Sequence, residues 1–241
     1  MHVSVEHVTK NFGRLKALDD VSFQLGPGHM FVVLGANGAG KTTLLRCLAG
    51  LVVPTRGTIR YDGEKFSRDR LDLRKRLYFL PDVPVAFPQF TVIDYLTMVL
   101  RIYEVDQERI EDRVVEILRD FDMLVLAYAR MGTLSRGQFY KAGLAALIAV
   151  DPELWLVDEP FASGMDPNGI IKFKDYAKEA AERGRTVIYT TQILAVAEEF
   201  CTCFCLLDEG RVFLVDSAAR LCEWSSEQAG GLESLFRKLR E

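Results

Sequence analysis

Hydrophobic and polar residues alternate in two short stretches near the N-terminus. In residues 2–8, one face of a strand would carry Val3, Val5 and His7. In residues 21–25, one face would carry Val21, Phe23 and Leu25. Because successive side chains of a strand point to opposite faces, this alternation predicts two strands of an antiparallel sheet with one exposed face.

Continuous apolar runs predict a second kind of strand, one that is buried on both faces. Residues 30–34 form such a run and end at Gly35, as a strand of a parallel sheet would. The runs at 154–157 and 186–191 have the same character and are bounded by turn residues. Residues 203–215 predict a β-hairpin, and its closing turn would be Asp208, Glu209 and Gly210.

Helical spacing of apolar residues marks three further segments. The segment that follows the glycine-rich turn at 35–40 carries Leu44, Leu45 and Leu48. The segment 110–121 is amphipathic, with Asp106 as the predicted N-cap and Glu108 in the first turn. Its apolar face would carry Ile110, Val114, Ile117, Leu118 and Phe121. Residues 139–150 predict another helix, which Asp151-Pro152 would end.

These elements predict one mixed α/β domain over residues 1–241. Its core, with an antiparallel β flank at the N-terminal side, would comprise residues 1–84 and 146–216. Residues 85–145 would form an α-helical subdomain inserted into that core. Residues 217–241 would form a helical tail, with a short amphipathic helix at 232–241.

Composition and charge narrow the range of functions. Of the 241 residues, 49% are hydrophobic and 27% are charged, which is sufficient for a buried core. The net charge of −4 gives no broad basic field, so we expect no nucleic-acid partner, and the basic segment 68–76 is explained by a solvated surface. No apolar run approaches the length of a membrane span, and the N-terminus lacks the form of a signal peptide. We therefore expect a soluble intracellular protein that reaches a membrane only through a partner.

Three cysteines, Cys201, Cys203 and Cys205, follow one another at a spacing of two. They could bind a metal, or they could lie together on the buried face of a strand. We favour the strand, because no further Cys or His pair has the usual ligand spacing.

The segment 35–42, with the sequence GANGAGKT, fits the phosphate-binding pattern G-x-x-x-x-G-K-[ST]. Glycines let backbone N–H groups approach an oxyanion at a distance that a β-carbon would prevent. The helix that follows adds free N–H groups and the positive end of its dipole. Lys41 would reach the β- and γ-phosphates, and the Thr42 hydroxyl would bind Mg²⁺.

A pair of carboxylates, Asp158 and Glu159, follows the apolar run at 154–157. A buried strand would deliver both to its exposed end. There Asp158 suits the Mg²⁺ shell, and Glu159 could orient or deprotonate an attacking water.

A second turn that could bind an anion lies far along the chain, in the segment LSRGQ at 134–138. A hydroxyl and free N–H groups at the start of a helix favour an anion. Ser135 could equally be a plain helix N-cap, and the two roles are compatible.

The chain resembles the ATP-binding subunits of ATP-binding cassette (ABC) transporters over nearly its whole length, with the motifs in the family's order. Residues 35–43 match the Walker A loop, 158–159 match Walker B with the catalytic glutamate, and 163–166 match the D-loop. LSRGQ matches the family signature LSGGQ, which is much rarer than a phosphate loop. The resemblance implies a P-loop NTPase core with a mixed sheet.

The resemblance also implies cofactors, partners and site residues. ATP with Mg²⁺ would be bound, with Phe12 stacked on the adenine. The nucleotide-binding residues would be Phe12, Gly35, Asn37, Gly38, Gly40, Lys41, Thr42, Thr43, Ser135, Gly137 and Gln138.

The family resemblance further implies that two subunits pair head to tail. They would be two copies of this chain, or this chain and another ABC ATPase. Ser135 and Gly137 of one subunit would then complete the nucleotide site of the other. A separate integral membrane permease would hold the pair at the inner face of the membrane. The surface of this chain that receives it would lie around residues 82–100, although Val85, Phe87, Phe90 and Val92 could equally pack inside the helical subdomain.

Three positions depart from the family pattern. Asp82 replaces a glutamine, Arg136 replaces the first glycine of the signature, and Gln192 replaces a histidine that contacts the γ-phosphate. Arg136 could help to hold phosphate, but we favour solvent or a subunit contact. Gln192 can still donate a hydrogen bond, yet it does not ionise near neutral pH. We therefore expect hydrolysis, with Glu159, Gln192 and Asp82 at the reacting centre, but at a slow rate.

Two other functions remain open at this stage. The chain could be a degenerate, regulatory cassette that pairs with a more active subunit, or a cassette ATPase that acts outside transport. The exporter type is indicated by the tail and by the acidic residue in the Leu80-Pro81-Asp82 segment.

Overall fold

The computed structural model of the protein describes residues 1–105 and 110–226. The predicted N-cap Asp106, the first-turn residue Glu108 and the predicted helix at 232–241 lie outside these residues.

A six-stranded sheet forms the centre of the described structure. In spatial order its strands are β10 (Arg211–Ser217), β9 (Cys203–Asp208), β3 (Met30–Leu34), β8 (Thr186–Thr191), β7 (Leu154–Val157) and β6 (Leu77–Leu80). The last five of these strands run parallel, whereas β10 pairs antiparallel with β9. The predicted buried strands and the predicted hairpin are confirmed, and the hairpin turns through Glu209 and Gly210, which both have positive φ.

The central sheet separates two hydrophobic cores, because successive residues of its strands point to opposite faces. In β3, Phe31 and Val33 belong to one core, and Val32 and Leu34 belong to the other. The first core contains the helix that follows β3 and the antiparallel sheet. The second contains the remaining long helices. Strands covered on both faces are mostly apolar, which explains the apolar runs in the sequence.

The second sheet is antiparallel and has four strands. In spatial order they are β2 (Leu15–Leu25), β1 (Val3–Phe12), β4 (Arg56–Tyr61) and β5 (Glu64–Lys65). The prediction that His7 shares a face with Val3 and Val5 is wrong. The pairing of β1 shifts between Val5 and Val8, His7 has a φ of 51°, and Val8 takes the buried position. An irregularity of this kind reverses the alternation beyond it.

The described helices pack on both sides of the central sheet. They are α1 (Lys41–Leu48), α2 (Leu71–Arg74), α3 (Val92–Ile102), α4 (Ile110–Asp120), α5 (Arg136–Val150), α6 (Pro167–Glu182), α7 (Leu194–Phe200) and α8 (Ala218–Ser226). α5 is buried along nearly all of its length, between α3, α4 and the sheet. It runs through residue 145, the expected end of the helical subdomain, and packs in the same core as β7 and β8.

The three closely spaced cysteines divide between the two cores. Cys203 and Cys205 lie on β9 and pack into the core around α1, whereas Cys201 precedes the strand and packs against the other core. Burial raises the pKa of Cys201 and of Cys205 to about 12. The three residues therefore do not share one face as the spacing of two predicted.

No helix within the described residues combines the length and apolar character needed to cross a bilayer.

Candidate functional site

An open cavity of about 670 Å³ lies at the carboxyl end of the central parallel strands. Its walls come from the loop that precedes α1, the ends of β6 and β7, the β1–β2 turn and the β9–β10 turn. Among the predicted site residues, the cavity is lined by Phe12, Asn37, Gly38, Gly40, Lys41, Thr42, Thr43, Asp82, Asp158 and Glu159. Residues that are distant in the sequence therefore meet here.

The glycine-rich loop has a geometry that its glycines make possible. A β-carbon on Gly35 would lie 2.3 Å from the carbonyl oxygen of Leu207. Gly40 has a φ of 106°, and a β-carbon there would lie 2.6 Å from the carbonyl oxygen of Ala17. The loop thus packs closely against its neighbours and turns directly into α1, whose first three residues line the cavity.

Lys41 is the first residue of α1 and is almost fully buried. Its ammonium donates to the carbonyl oxygens of Gly35 (2.9 Å) and Ala36 (3.1 Å) and forms an ion pair with Oε1 of Glu159 at 3.0 Å. The cation is therefore held at the mouth of the loop, with the carboxylate of Glu159 as its present counter-ion.

Asp158 is 2% exposed, and its carboxylate is oriented by two hydroxyl groups. Thr42 Oγ1 donates to its Oδ2 at 2.8 Å, and Thr190 Oγ1 donates to its Oδ1 at 2.7 Å. The backbone of Asp158 is fixed as well, since its N–H donates to Leu80 and its carbonyl accepts from the Tyr140 hydroxyl at 3.1 Å.

Glu159 follows the end of β7 in a left-handed conformation, with a φ of 46°. This conformation is uncommon for a residue with a side chain and indicates a backbone held by its surroundings. The N–H of Glu159 donates to Thr190 Oγ1 at 2.8 Å. Thr190 thus orients both carboxylate residues at once.

Phe12, the predicted adenine contact, is 46% exposed at the rim of the cavity, and the ammonium of Lys10 lies 4.9 Å from the centre of its ring. An exposed aromatic ring beside a phosphate loop is available for stacking on a base.

The signature residues Ser135, Gly137 and Gln138, all within the described part of the chain, lie at the start of α5 and outside the walls of this cavity. Ser135 Oγ accepts from the N–H of Gln138, and Gln138 Oε1 accepts from the N–H of Ser135. A β-carbon on Gly137 would lie 2.2 Å from the carbonyl oxygen of Gly164. The signature turn therefore forms a capping box that packs against the segment 163–166.

Two of the three departures from the family pattern contact each other. Nη2 of Arg136 lies 2.7 Å from Oδ1 of Asp82, and both side chains are partly exposed. Arg136 is thus an exposed residue whose guanidinium is paired with a residue of the cavity wall. Gln192 follows the end of β8 as an exposed residue and is not part of the cavity walls, which lie entirely within the described residues.

Sequence reasoning missed several residues of this site. Thr190 and Tyr140 both bind Asp158, and the β9–β10 turn supports the phosphate loop through the N–H of Gly210, which donates to Ala39 at 2.9 Å. A signal for Thr190 existed, because a threonine at the carboxyl end of a buried strand has its hydroxyl at the edge where parallel strands place their functional groups.

Burial raises the pKa of Tyr140 well above its usual value, and the negative charges of Asp158, Asp82 and Glu159 raise it further. The negative charges of these three carboxylates thus reach the hydroxyl of Tyr140 on α5.

The observed groups fit ATP and Mg²⁺. Gly35 and Gly40 let the loop pack closely against Leu207 and Ala17, and Lys41 supplies a buried cation at its mouth. The Thr42 hydroxyl and the Asp158 carboxylate, 2.8 Å apart, are oxygen ligands of the kind that Mg²⁺ prefers.

The fold and this loop define the class of the protein, a P-loop nucleoside triphosphatase. The family model described as "ABC transporter" matches residues 18–162. The chain therefore belongs to the ABC transporter ATP-binding family, and membership implies ATP binding and hydrolysis.

Individual relatives and a solved structure support this assignment. The chain is 30% identical to the ABC-type transporter ATP-binding protein EcsA of Bacillus subtilis, over 98% of this chain and 96% of the relative. It is 33% identical to the Nod factor export ATP-binding protein I of Paraburkholderia xenovorans, over 87% of this chain and 68% of the relative. A solved ATP-binding subunit of an ABC transporter is 26% identical, with a TM-score of 0.90 and full coverage of both chains.

Proposed function

We propose that this chain is the ATP-hydrolysing subunit of a membrane exporter. It would pair head to tail with a second copy or with another ABC ATPase subunit and drive a separate integral membrane permease. The observation that carries the proposal is the cluster of Lys41, Thr42, Asp158 and Glu159 around one cavity. Lys41 forms an ion pair with Glu159 at 3.0 Å, and Thr42 donates to Asp158 at 2.8 Å. Thr190 joins the two acidic residues through hydrogen bonds of 2.7 and 2.8 Å.

Each residue of the cluster has a distinct task. Thr42 and Asp158 would hold Mg²⁺, which shields charge on the phosphates. Lys41 would exchange its contact with Glu159 for the β- and γ-phosphates of ATP. Glu159, released from the ammonium, would then orient the attacking water and accept its proton, while the bond from the γ-phosphorus to the bridging oxygen breaks.

Pairing of two subunits is supported by the position of the signature turn. Ser135 and Gly137 stand outside the walls of their own cavity, in a turn that is suited to an anion. A second subunit would supply that anion as its bound nucleotide. Loss of the γ-phosphate contacts on hydrolysis would let the two subunits separate.

A membrane partner is supported by a row of exposed apolar side chains directly after Asp82. Val83, Val85 and Phe87 are 63%, 83% and 53% exposed. Exposed apolar residues so close together favour a protein contact. Such a partner would place the chain at the cytoplasmic face of the membrane.

The direction of transport is proposed as export because one relative is a Nod factor export ATP-binding protein. A phosphonates import protein of Halobacterium salinarum is also 32% identical over 88% of this chain. Copurification would identify the permease. The side of a vesicle membrane on which the substrate accumulates would then decide the direction of transport.

The test of catalysis is phosphate release by Glu159→Gln, with the exposed Glu182→Gln on α6 as the matched control. We expect Glu159→Gln to bind Mg-ATP and release phosphate at background level, while the control keeps the wild-type rate. Equal release from the two variants would show that Glu159 is not the base.

The wild-type protein itself is expected to hydrolyse ATP slowly, because Asp82, Arg136 and Gln192 depart from the family pattern.

A further inference from the structure

Asp82 and Arg136 are 54 residues apart in the sequence, yet they form an ion pair at the rim of the nucleotide cavity. Asp82 is part of the cavity wall, together with Thr42, Asp158 and Glu159. Arg136 is the first residue of α5 and stands beside the N-cap Ser135. The pair therefore joins the signature turn to the nucleotide cavity of the same chain.

The charges around the cavity show why this contact matters. A triphosphate is strongly anionic, and the cavity wall already carries the carboxylates of Asp158 and Glu159. Mg²⁺ and Lys41 would offset those two. Asp82 adds a further negative charge at a position where an amide would add none. The guanidinium of Arg136, 2.7 Å from Asp82, is placed to cancel that charge.

We propose that Arg136 acts within its own chain, by neutralising Asp82 so that the cavity accepts Mg-ATP, and that it does not act on the nucleotide of the partner subunit. The two residues are then a compensating pair. Arg136 is a positioning residue in this scheme, since it works through Asp82. The inference rests on the proposed function, because it assigns a role inside the same nucleotide site.

A double-mutant cycle tests the proposal. Mg-ATP affinity is measured by calorimetry for Arg136→Ala, Asp82→Asn and the double variant, all carrying Glu159→Gln to prevent turnover. Protein concentrations are kept below those at which subunits pair. We expect Arg136→Ala to weaken binding by about two- to fivefold, the range for a partly exposed ion pair. In the Asp82→Asn background the same substitution is expected to have no effect.

Two further measurements separate this role from a merely structural one. Arg136→Lys keeps the positive charge and is expected to retain most of the affinity. The effect of Arg136→Ala is expected to disappear at about 1 M salt, where the Debye length is about 3 Å. Both side chains are partly exposed, so the variants are expected to keep the wild-type melting temperature.

The proposal is overturned if Arg136→Ala leaves the affinity unchanged, or if it costs the same with Asp82 and with Asn at position 82. It is also overturned if the cost arises only at concentrations where subunits pair, which would mean that Arg136 contacts the partner's nucleotide. Failure of the proposed function has a different signature, since the protein with Glu159→Gln alone would then not bind Mg-ATP.

Discussion

At the scale of single residues, the site depends on a threonine that no motif contains. Thr190 donates to the carboxylate of Asp158 and accepts from the N–H of Glu159, so one hydroxyl sets the orientation of two acidic residues. Groups that orient a metal ligand commonly affect activity nearly as much as the ligand itself. The phosphate loop and the acidic pair could be predicted from the sequence because each is contiguous. The sequence places Thr190 at the carboxyl end of a buried strand, but its contact with Asp158 follows only from the pairing of β7 with β8.

Thr190→Val should lower ATP hydrolysis by about ten- to hundredfold, the usual effect of removing a group that orients a metal ligand. The control is Thr186→Val on the same strand, where the buried hydroxyl donates to the carbonyl oxygen of Met1 at 2.8 Å. Both variants lose a buried hydrogen bond, so their melting temperatures should fall similarly. Equal rates of phosphate release would contradict the role given to Thr190.

Cysteine reactivity gives a second prediction at this scale. Burial raises the pKa of Cys47 to about 11 and of Cys205 to about 12, so both remain protonated thiols at pH 8. The reactive form is the thiolate, and Cys222 is the exposed member of the set. With a disulfide reagent at pH 8, Cys222 should react first, and Cys47 and Cys205 should react only after denaturant is added. Peptide mapping of the early product would reveal any other order.

At the scale of elements, patterns along the chain predicted those whose burial is simple. The strands β3 and β7 are covered on both faces and are continuously apolar, β8 is apolar and β-branched, and α4 has one apolar stripe. The bulge at His7 escaped prediction because its cause is the pairing of β1 with β2 and β4. α6 was not predicted, although Asp166 caps it and Pro167 begins it, signals that favour a helix start.

The N-cap of α5 allows the structural and functional roles of Ser135 to be separated. Thr91 caps α3 with the same capping box, formed with Asp94, so Thr91→Ala is a matched control. Each substitution should lower the free energy of unfolding by about 0.5–2 kcal/mol. Only Ser135→Ala should also weaken ATP-dependent pairing of subunits in a Glu159→Gln background, measured by sedimentation. Similar pairing by both variants would leave Ser135 as a helix cap alone.

The contact between α5 and α6 predicts a dependence on pH. The buried ammonium of Lys141 binds Asp166 and the carbonyl oxygen of Phe121, and it holds the pKa of Asp166 below its usual 3.8. A lowered acid pKa stabilises the fold above the unfolded pKa, and this contribution disappears as the pH falls through the folded pKa.

Lys141→Met should therefore cost about 1–3 kcal/mol near neutral pH, because it also leaves the Phe121 carbonyl without its donor. The cost should shrink as the pH falls from neutral to below 3.8, because Asp166 becomes protonated through its lowered pKa and the ion pair is lost. Urea unfolding of both proteins at the two pH values measures it. A difference that is constant with pH would assign the whole cost to packing and to the Phe121 carbonyl.

At the scale of the whole molecule, the site is assembled where the two cores meet. Lys41 and Thr42 are carried by α1 from one core, whereas Tyr140 beneath Asp158 belongs to α5 in the other. A hydrogen bond therefore connects the wall of the nucleotide cavity to the helix whose N-terminus is the signature turn. This connection follows from the order of the strands, which no local pattern contains.

If two subunits share each nucleotide site, two inactive variants should restore activity when they are mixed. Lys41→Ala removes the phosphate cation from a subunit's own cavity, and Ser135→Arg places a bulky cation in the turn that the subunit would offer to its partner. In a mixed pair, one site would combine both defects, and the other would combine the intact Lys41 of one chain with the intact Ser135 of the other. Random exchange between two-fold symmetric pairs would therefore restore about a quarter of the wild-type sites.

The control is a chain that carries both substitutions, mixed with Lys41→Ala. Neither chain of this mixture has an intact phosphate loop, so it should stay inactive. If the two single variants remain inactive together while sedimentation shows that they pair, each site is contained within one chain, and the head-to-tail arrangement is wrong.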